Sequence, residues 1–257
     1  MRAMILAAGL GTRLRPLTND RPKALVEIGG RTLLEIALAR LRSFDIREVI
    51  INAHHLASMI AEYLKINNNF GMQIEVSHED ILLDTGGGLK KAAPFFLRPS
   101  SPVDEPFLLH NVDVISAIDL RRMVQFHREH EALATLAVQA RKSSRYLLFD
   151  RQLRLCGRRF LRENITEWAR PSPPPESSGE EVRELAFAGI HVISPRFLTM
   201  MTEPGAFSIL ASYLRLAGSG EKILAFPADE YYWRDLGTPE SLAQAAQELS
   251  AFKPSED

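Results

Sequence analysis

Residues 6–25 read Leu-Ala-Ala-Gly-Leu-Gly-Thr-Arg-Leu-Arg-Pro-Leu-Thr-Asn-Asp-Arg-Pro-Lys-Ala-Leu. Glycines that follow an apolar run let backbone N–H groups approach an anion with no Cβ in the way. Arg13 adds a rigid, permanently charged donor fork suited to phosphate oxygens. Lys23 adds a compact charge after a proline-stiffened stretch. These types at this spacing suit a cradle for a triphosphate. The string differs from two common nucleotide signatures. A Walker loop needs Gly-Lys-Ser/Thr after its gap, which Gly11-Thr12-Arg13 does not supply. A dinucleotide fingerprint needs a third glycine at position 14, which is Leu14.

Three later segments carry further candidates. In Leu83-Asp84-Thr85-Gly86-Gly87-Gly88, Asp84 or Thr85 can cap a helix, and the glycines permit close contact with a flat ligand. In His110-Asn111-Val112-Asp113, a carboxylate at the end of an apolar run can hold a hard cation that bridges phosphate oxygens. A turn former or cap is the plainer reading of a lone Asp there. His110 reads as a core residue, or as one that supports a ligand, and not as a ligand itself. In Trp233-Arg234-Asp235-Leu236-Gly237-Thr238-Pro239, Thr238 and Pro239 read as the start of a helix.

Positioning these segments requires strands that end beside them. Residues 3–8, 48–52, 72–77 and 106–110 are short apolar runs that read as strands. Helical spacing occupies 32–43, with Leu33, Leu34, Ala37, Leu38 and Leu41 on one face and Thr32 and Glu35 placed for a capping box. Helices are also expected at 56–66, from near Gly87 to Phe96, and at 118–130. This alternation implies parallel βαβ units in a doubly wound sheet, where ligands sit at the carboxyl ends of strands. Gly9–Arg15, Asp84–Gly88 and Asn111–Asp113 are therefore expected along one rim. Beyond residue 130 the pattern turns to strands at 133–138, 145–149 and 185–193, with 153–155 continuing a hairpin or meander. Helices are expected at 207–217 and 239–252. Residues 171–181, rich in Pro, Ser, Gly and Glu, read as a flexible loop.

The opening string resembles that of the sugar-1-phosphate nucleotidyltransferases: Leu-Ala-Ala-Gly-x-Gly-Thr-Arg-x-x-Pro-Leu-Thr, a short gap, then Pro-Lys-Pro-Leu. Ala24 stands where the second proline is usual. The later motifs follow in the family's order, so the resemblance extends through most of the chain. It implies a Rossmann-like, doubly wound, mostly parallel (mixed) sheet in a single domain, 1–257. Residues 1–130 would be its nucleotide-binding half, and 131–257 its acceptor-binding half with the C-terminal helix. It implies that Ala8, Gly9, Gly11 and Thr12 bind the nucleotide, and that Arg13 and Lys23 stabilise charge on the reacting phosphates. Gly86, Gly87 and Gly88 would lie beside base and ribose. Asp113, with Val112 at the place of a common glycine, and Asp235, from the Trp-x-Asp-x-Gly-Thr-Pro pattern, would hold Mg2+. Gly189, in Phe187-Ala188-Gly189-Ile190, would approach the sugar, although a glycine in a strand equally marks a bulge. No clean counterpart of the family's Glu-Lys-Pro segment is present; Glu163 or Glu167 could serve in its place, although a solvated surface acid is the plainer reading of each.

The implied reaction joins a nucleoside monophosphate, from a nucleoside triphosphate, to a sugar 1-phosphate. Members acting on mannose 1-phosphate with GTP or on N-acetylmuramate 1-phosphate with UTP are the leading variants. Cytidylyl transfer to a phosphocholine-like acceptor, or a catalytically silent regulator on the same fold, are the alternatives. The 257 residues carry a net charge of −1, and 46% are hydrophobic. That balance gives no general attraction to nucleic acid or an anionic membrane. No apolar run is long enough to span a bilayer. One cysteine, Cys156, leaves no disulfide framework and suits a reducing compartment, so a cytoplasmic location is expected. Oligomeric state is left open.

Overall fold

The computed structural model describes residues 1–98, 104–170 and 182–251. The loop expected at 171–181 lies outside them. In chain order the described elements are β1 (Arg2–Leu6), β2 (Glu27–Ile28), β3 (Arg31–Thr32), α1 (Leu33–Ser43), β4 (Glu48–Ala53), α2 (Ala57–Ile66), β5 (Gln73–His78), α3 (Asp84–Phe96), β6 (Phe107–Asn111) and β7 (Val114–Ser116). They continue with α4 (Leu120–Glu129), β8 (Ala134–Gln139), β9 (Arg145–Phe149), β10 (Leu155–Phe160), β11 (Ile165–Trp168) and β12 (Arg183–Ile193). The last are α5 (Arg196–Thr199), α6 (Ile209–Gly218), β13 (Ile223–Pro227), β14 (Trp233–Asp235) and α7 (Pro239–Ala251). Strands alternating with helices give the expected mixed α/β class. Among the described residues no helix is long and apolar enough to cross a membrane.

Two compact units result. The first takes Arg2–Leu82, His110–Ala117 and the chain from Tyr232 onward; the second takes Leu83–Leu109 and Ile118–Tyr231. The expected halves meet at residue 130, whereas these units interleave, because short segments before β7 and at β14 return to the first unit.

In the first unit β1, β4 and β5 are parallel, with Met4 opposite Ile50 and Ile51 opposite Val76. Ala3, Met4, Ile5, Val49 and Ile51 are fully buried, as a central strand with both faces covered requires. Helix α1 buries the predicted face, Leu33, Leu34, Ala37, Leu38 and Leu41. Thr32 caps it by accepting the Glu35 N–H at 3.0 Å. The Glu35 carboxylate receives Arg31 Nε at 2.7 Å. A short antiparallel pair, β14 with β7, places Asp235 opposite Val114.

In the second unit the order is β11-β10-β9-β12-β8-β13, antiparallel except where β13 runs parallel to β8. The meander expected around 153–155 is longer than the apolar pattern suggests. β10 carries two adjacent arginines, Arg158 and Arg159, and is tied to β11 by the Arg158–Glu167 pair at 2.7 Å. This uses the second of the two acids, Glu167, in a cross-strand ion pair. Helix α3 begins at Asp84, three residues before the expected start.

Candidate active site

The first strand delivers the loop. Ala7 and Ala8 are buried, and the chain emerges at Gly9. Gly11 has φ 63°, and a Cβ there would lie 2.9 Å from the Thr18 methyl and 3.1 Å from Lys23 Cβ. Conformation and space both require glycine. Thr18 closes the turn by donating its hydroxyl to the Gly11 carbonyl at 2.9 Å. Thr12 and Arg13 then open a 3-10 turn whose third residue, Leu14, is fully buried and anchors it. A second 3-10 turn, Lys23–Leu25, follows Pro22. Its Ala24 is fully buried, so the missing proline is replaced by a packed methyl.

Lys23 Nζ pairs with Asp113 Oδ2, and both side chains are mostly enclosed. Asp113 follows β6, and Val112 anchors that segment by donating its N–H to the Leu6 carbonyl at 3.1 Å. The Asp113 carbonyl in turn accepts the Leu236 N–H at 2.8 Å, which brings the 113 and 235 segments side by side. Asp235 Oδ1 accepts the Gly237 N–H at 2.9 Å. A Cβ on Gly237 would meet Arg13 Nη2 at 2.5 Å and Asp235 Oδ1 at 2.6 Å. The guanidinium and the carboxylate therefore share the space that a side chain at 237 would fill. Four of the predicted residues, Arg13, Lys23, Asp113 and Asp235, are thus tied to the Gly9–Gly11 loop within one unit.

Two supports were not legible as functional in the sequence. Arg234 donates Nη2 and Nε to Glu248 at 2.6 and 3.0 Å, and Tyr232 OH donates to the same carboxylate at 2.6 Å. These bonds fasten β14, and so Asp235, to α7. Asn52, buried at the end of β4, accepts the Ala7 N–H at 2.8 Å. A polar residue closing the run Glu-Val-Ile-Ile-Asn was the available signal. His110 is a core residue, as expected: Nδ1 donates to the Asn111 carbonyl at 2.7 Å, and burial lowers its pKa to about 4.

The other predicted residues lie in the second unit. Gly86 and Gly87 donate their N–H groups to the Phe207 carbonyl at 2.9 and 3.3 Å. Side chains at both positions would collide with the 205–207 segment. Close packing of α3 on that segment accounts for these glycines. Thr85 does not cap its own helix; its hydroxyl accepts the Ile209 N–H at 2.9 Å and caps α6. Gly189 has φ 74° and sits where the β12–β8 register shifts between Phe187 and His191. It lies in an irregularity of the pairing, where β12 runs from Phe187 to His191 while β8 runs only from Val138 to Leu136.

The Nucleotidyl transferase family pattern matches residues 2–152. The chain belongs to the nucleotidyl transferase family. This nucleotidyltransferase is 30% identical over 258 residues to the N-acetylmuramate alpha-1-phosphate uridylyltransferase of Caulobacter vibrioides, with 96% of each chain covered. It is 31% identical over 242 residues to the mannose-1-phosphate guanylyltransferase catalytic subunit beta of Drosophila pseudoobscura pseudoobscura, covering 93% of this chain and 59% of that protein. The crystal structure of HddC from Yersinia pseudotuberculosis complexed with GMP-PN superposes with TM-score 0.73 at 19% identity, over 96% of this chain and 99% of that one. The last likeness is one of fold alone.

The donor set can be judged on its own chemistry. Among the described residues no group of three or more His, Cys, Asp and Glu side chains gathers as a cation cage. Asp113 and Asp235 offer oxygen donors from adjacent backbone segments. A pair of carboxylates completed by phosphate oxygens and water suits Mg2+, which keeps much of its hydration. The residues fit such a cation.

Proposed function

We propose that this nucleotidyltransferase transfers a nucleoside monophosphate from a nucleoside triphosphate to a sugar 1-phosphate and releases pyrophosphate. The observation that carries this reading is the tie of Arg13, Lys23, Asp113 and Asp235 to one glycine loop. The relative covered over 96% of both chains, named for N-acetylmuramate 1-phosphate, supports the acceptor class. A phosphate oxygen of the acceptor attacks the α-phosphorus in line. The bond from the α-phosphorus to its bridging oxygen breaks, and pyrophosphate leaves with the electron pair. No protein nucleophile takes part, so positioning and charge neutralisation carry the catalysis.

In this reading the Ala8–Thr12 backbone cradles the triphosphate, and Arg13 and Lys23 offset the charge that grows on the phosphates. Asp113 and Asp235 would hold Mg2+, which supplies further neutralisation of phosphate charge. Lys23 then exchanges its contact with Asp113 for a phosphate oxygen. Gly86, Gly87 and Gly88 are proposed to lie against the nucleotide. The N–H groups of Gly86 and Gly87 are occupied by Phe207, so those two would contribute a flat surface and not donors. Gly189 is proposed to face the sugar at its irregularity in the pairing. Cys156 keeps its thiol, which donates to the Leu148 carbonyl at 3.2 Å, and this suits the cytoplasmic setting proposed here.

The test crosses UTP, GTP, CTP, ATP and dTTP with several sugar 1-phosphates and phosphocholine, and reads pyrophosphate release. Release with a sugar 1-phosphate is expected. Release with phosphocholine alone, or with no acceptor, overturns the reading.

A further inference from the structure

One peptide unit, between Leu6 and Ala7, is gripped on both sides. Its carbonyl accepts the Val112 N–H at 3.1 Å, from the segment that carries Asp113. Its N–H donates to Asn52 Oδ1 at 2.8 Å. Since a backbone N–H can only donate, Asn52 must present its oxygen to Ala7, and its amide nitrogen faces the other way. That nitrogen donates to Glu79 Oε1 at 2.7 Å. Asn52 is 2% exposed and Glu79 is fully buried. Glu79 is itself fixed, because its N–H donates to the Ala53 carbonyl at 2.8 Å and His54 Nδ1 lies 2.8 Å from its carbonyl oxygen.

We propose that Glu79 and Asn52 are positioning residues that aim the phosphate loop through the Ala7 amide. The inference rests on the nucleotidyltransferase reading of that loop. Ala7 is anchored two residues before the chain emerges at Gly9, so its direction sets how the chain enters the loop that Thr18 and Leu14 then hold. A buried carboxylate is the strongest means of fixing which way the Asn52 amide turns, because only its nitrogen can face Glu79. Without that polarity the amide could flip and turn a donor toward the Ala7 N–H, leaving both unsatisfied.

Reversing the polarity of the pair tests the proposal. Asn52→Asp can still accept from Ala7 but places a second carboxylate against Glu79. Glu79→Gln removes the opposing charge and supplies a donor, so N52D/E79Q rebuilds the same chain of bonds with its polarity reversed. Two readouts are taken on each protein: hydrogen exchange at the Ala7 amide, and KM for the nucleoside triphosphate against KM for the acceptor. N52D should lose Ala7 protection and raise the triphosphate KM about 100-fold, the scale of a misplaced site. Its acceptor KM should stay near the wild-type value. The double variant should regain protection and come within about 10-fold of wild type, the range of a preserved outer contact. The proposal is overturned if N52D keeps Ala7 protected, if both KM values rise together, or if the double variant is no better than N52D. Should N52D fail to fold, recovery of a folded, Ala7-protected double variant still supports it, and a double variant that also fails overturns it. A wild-type protein that shows Ala7 protection but no pyrophosphate release would instead refute the parent reading.

Discussion

A glycine at position 237 is required by what occupies the space beside it. Arg13 Nη2 and Asp235 Oδ1 stand 2.5 and 2.6 Å from where a Cβ would lie, and neither can remain if one is added. Gly237→Ala should therefore push the guanidinium proposed to bind phosphate and the carboxylate proposed to hold the cation off position together. A displacement of this kind should lower kcat/KM about 100-fold, and a kcat/KM within a few-fold of wild type would show that neither group works from that place. Lys23 makes a separate case. Its ammonium is mostly enclosed against Asp113, and in the proposed reading it is the group that offsets phosphate charge. Lys23→Ala should lose about 100-fold to 1,000-fold in kcat, the cost of removing one preorganised charge donor, while circular dichroism reports an unchanged fold. Near-normal turnover would remove Lys23 from the mechanism. Both positions were readable as motif members before the fold was known. The reason Gly237 must be glycine was not, because Arg13 reaches it from 224 positions away in the chain.

Elements were legible where the apolar period is strong. The buried face of α1 agrees residue by residue with its spacing, because Leu33, Leu34, Ala37, Leu38 and Leu41 meet a single core surface. β10 and β11 are less legible because Leu-Cys-Gly-Arg-Arg-Phe and Ile-Thr-Glu-Trp carry no clean apolar period, and they are held by cross-strand ion pairs, Arg158 with Glu167 and Arg159 with Glu184. The start of α3 was misplaced because Asp84 enters the helix from φ 58°, a left-handed conformation that spacing does not reveal. Of the two candidate capping residues, Asp84 or Thr85, neither caps α3, whose start carries no side-chain cap. Thr85 serves α6 through the Ile209 N–H, while the Phe207 carbonyl serves α3 through Gly86 and Gly87. Each helix start thus completes the other. Thr85→Val keeps the shape but orphans the Ile209 N–H, and should cost about 1–3 kcal/mol, read as a lower urea midpoint at unchanged m-value. An unchanged midpoint would mean that water replaces the hydroxyl at no cost.

At the scale of the whole molecule, the βαβ alternation fixed the fold class, but not the way short segments around Asp113 and Asp235 leave their sequence neighbours to build one site. The same long-range packing governs how the protein responds to acid. His127 on α4 is 3% exposed, with Nδ1 3.0 Å from Thr135 Oγ1 and Nε2 3.0 Å from Ser194 Oγ. Burial, with a smaller contribution from Arg128, lowers its pKa to about 4. Burial likewise lowers that of His110 to about 4. Both rings are neutral in the folded protein at pH 7, and each would bind a proton near the ordinary value of 6.5 once unfolded. Above pH 6.5 neither state gains a proton, so stability is level with respect to these groups. Between pH 6.5 and about 4 the unfolded chain takes up protons that the folded one refuses, so stability falls with pH by up to about 1.4 kcal/mol per unit for each ring. Glu203 acts in a lower window. Burial raises its pKa, but the Arg215 guanidinium, 2.8 Å away, outweighs that and brings it down to about 2, so its contribution is lost only as pH falls from about 4.5 toward 2. Denaturant midpoints measured from pH 7.5 to 4.5 should thus decline before the carboxylates titrate. His127→Gln, an uncharged replacement at one of the two rings, should be less stable than wild type at pH 7.5 yet lose less on going to pH 4.5. Equal losses in the two proteins would show that His127 is not a source of the acid sensitivity.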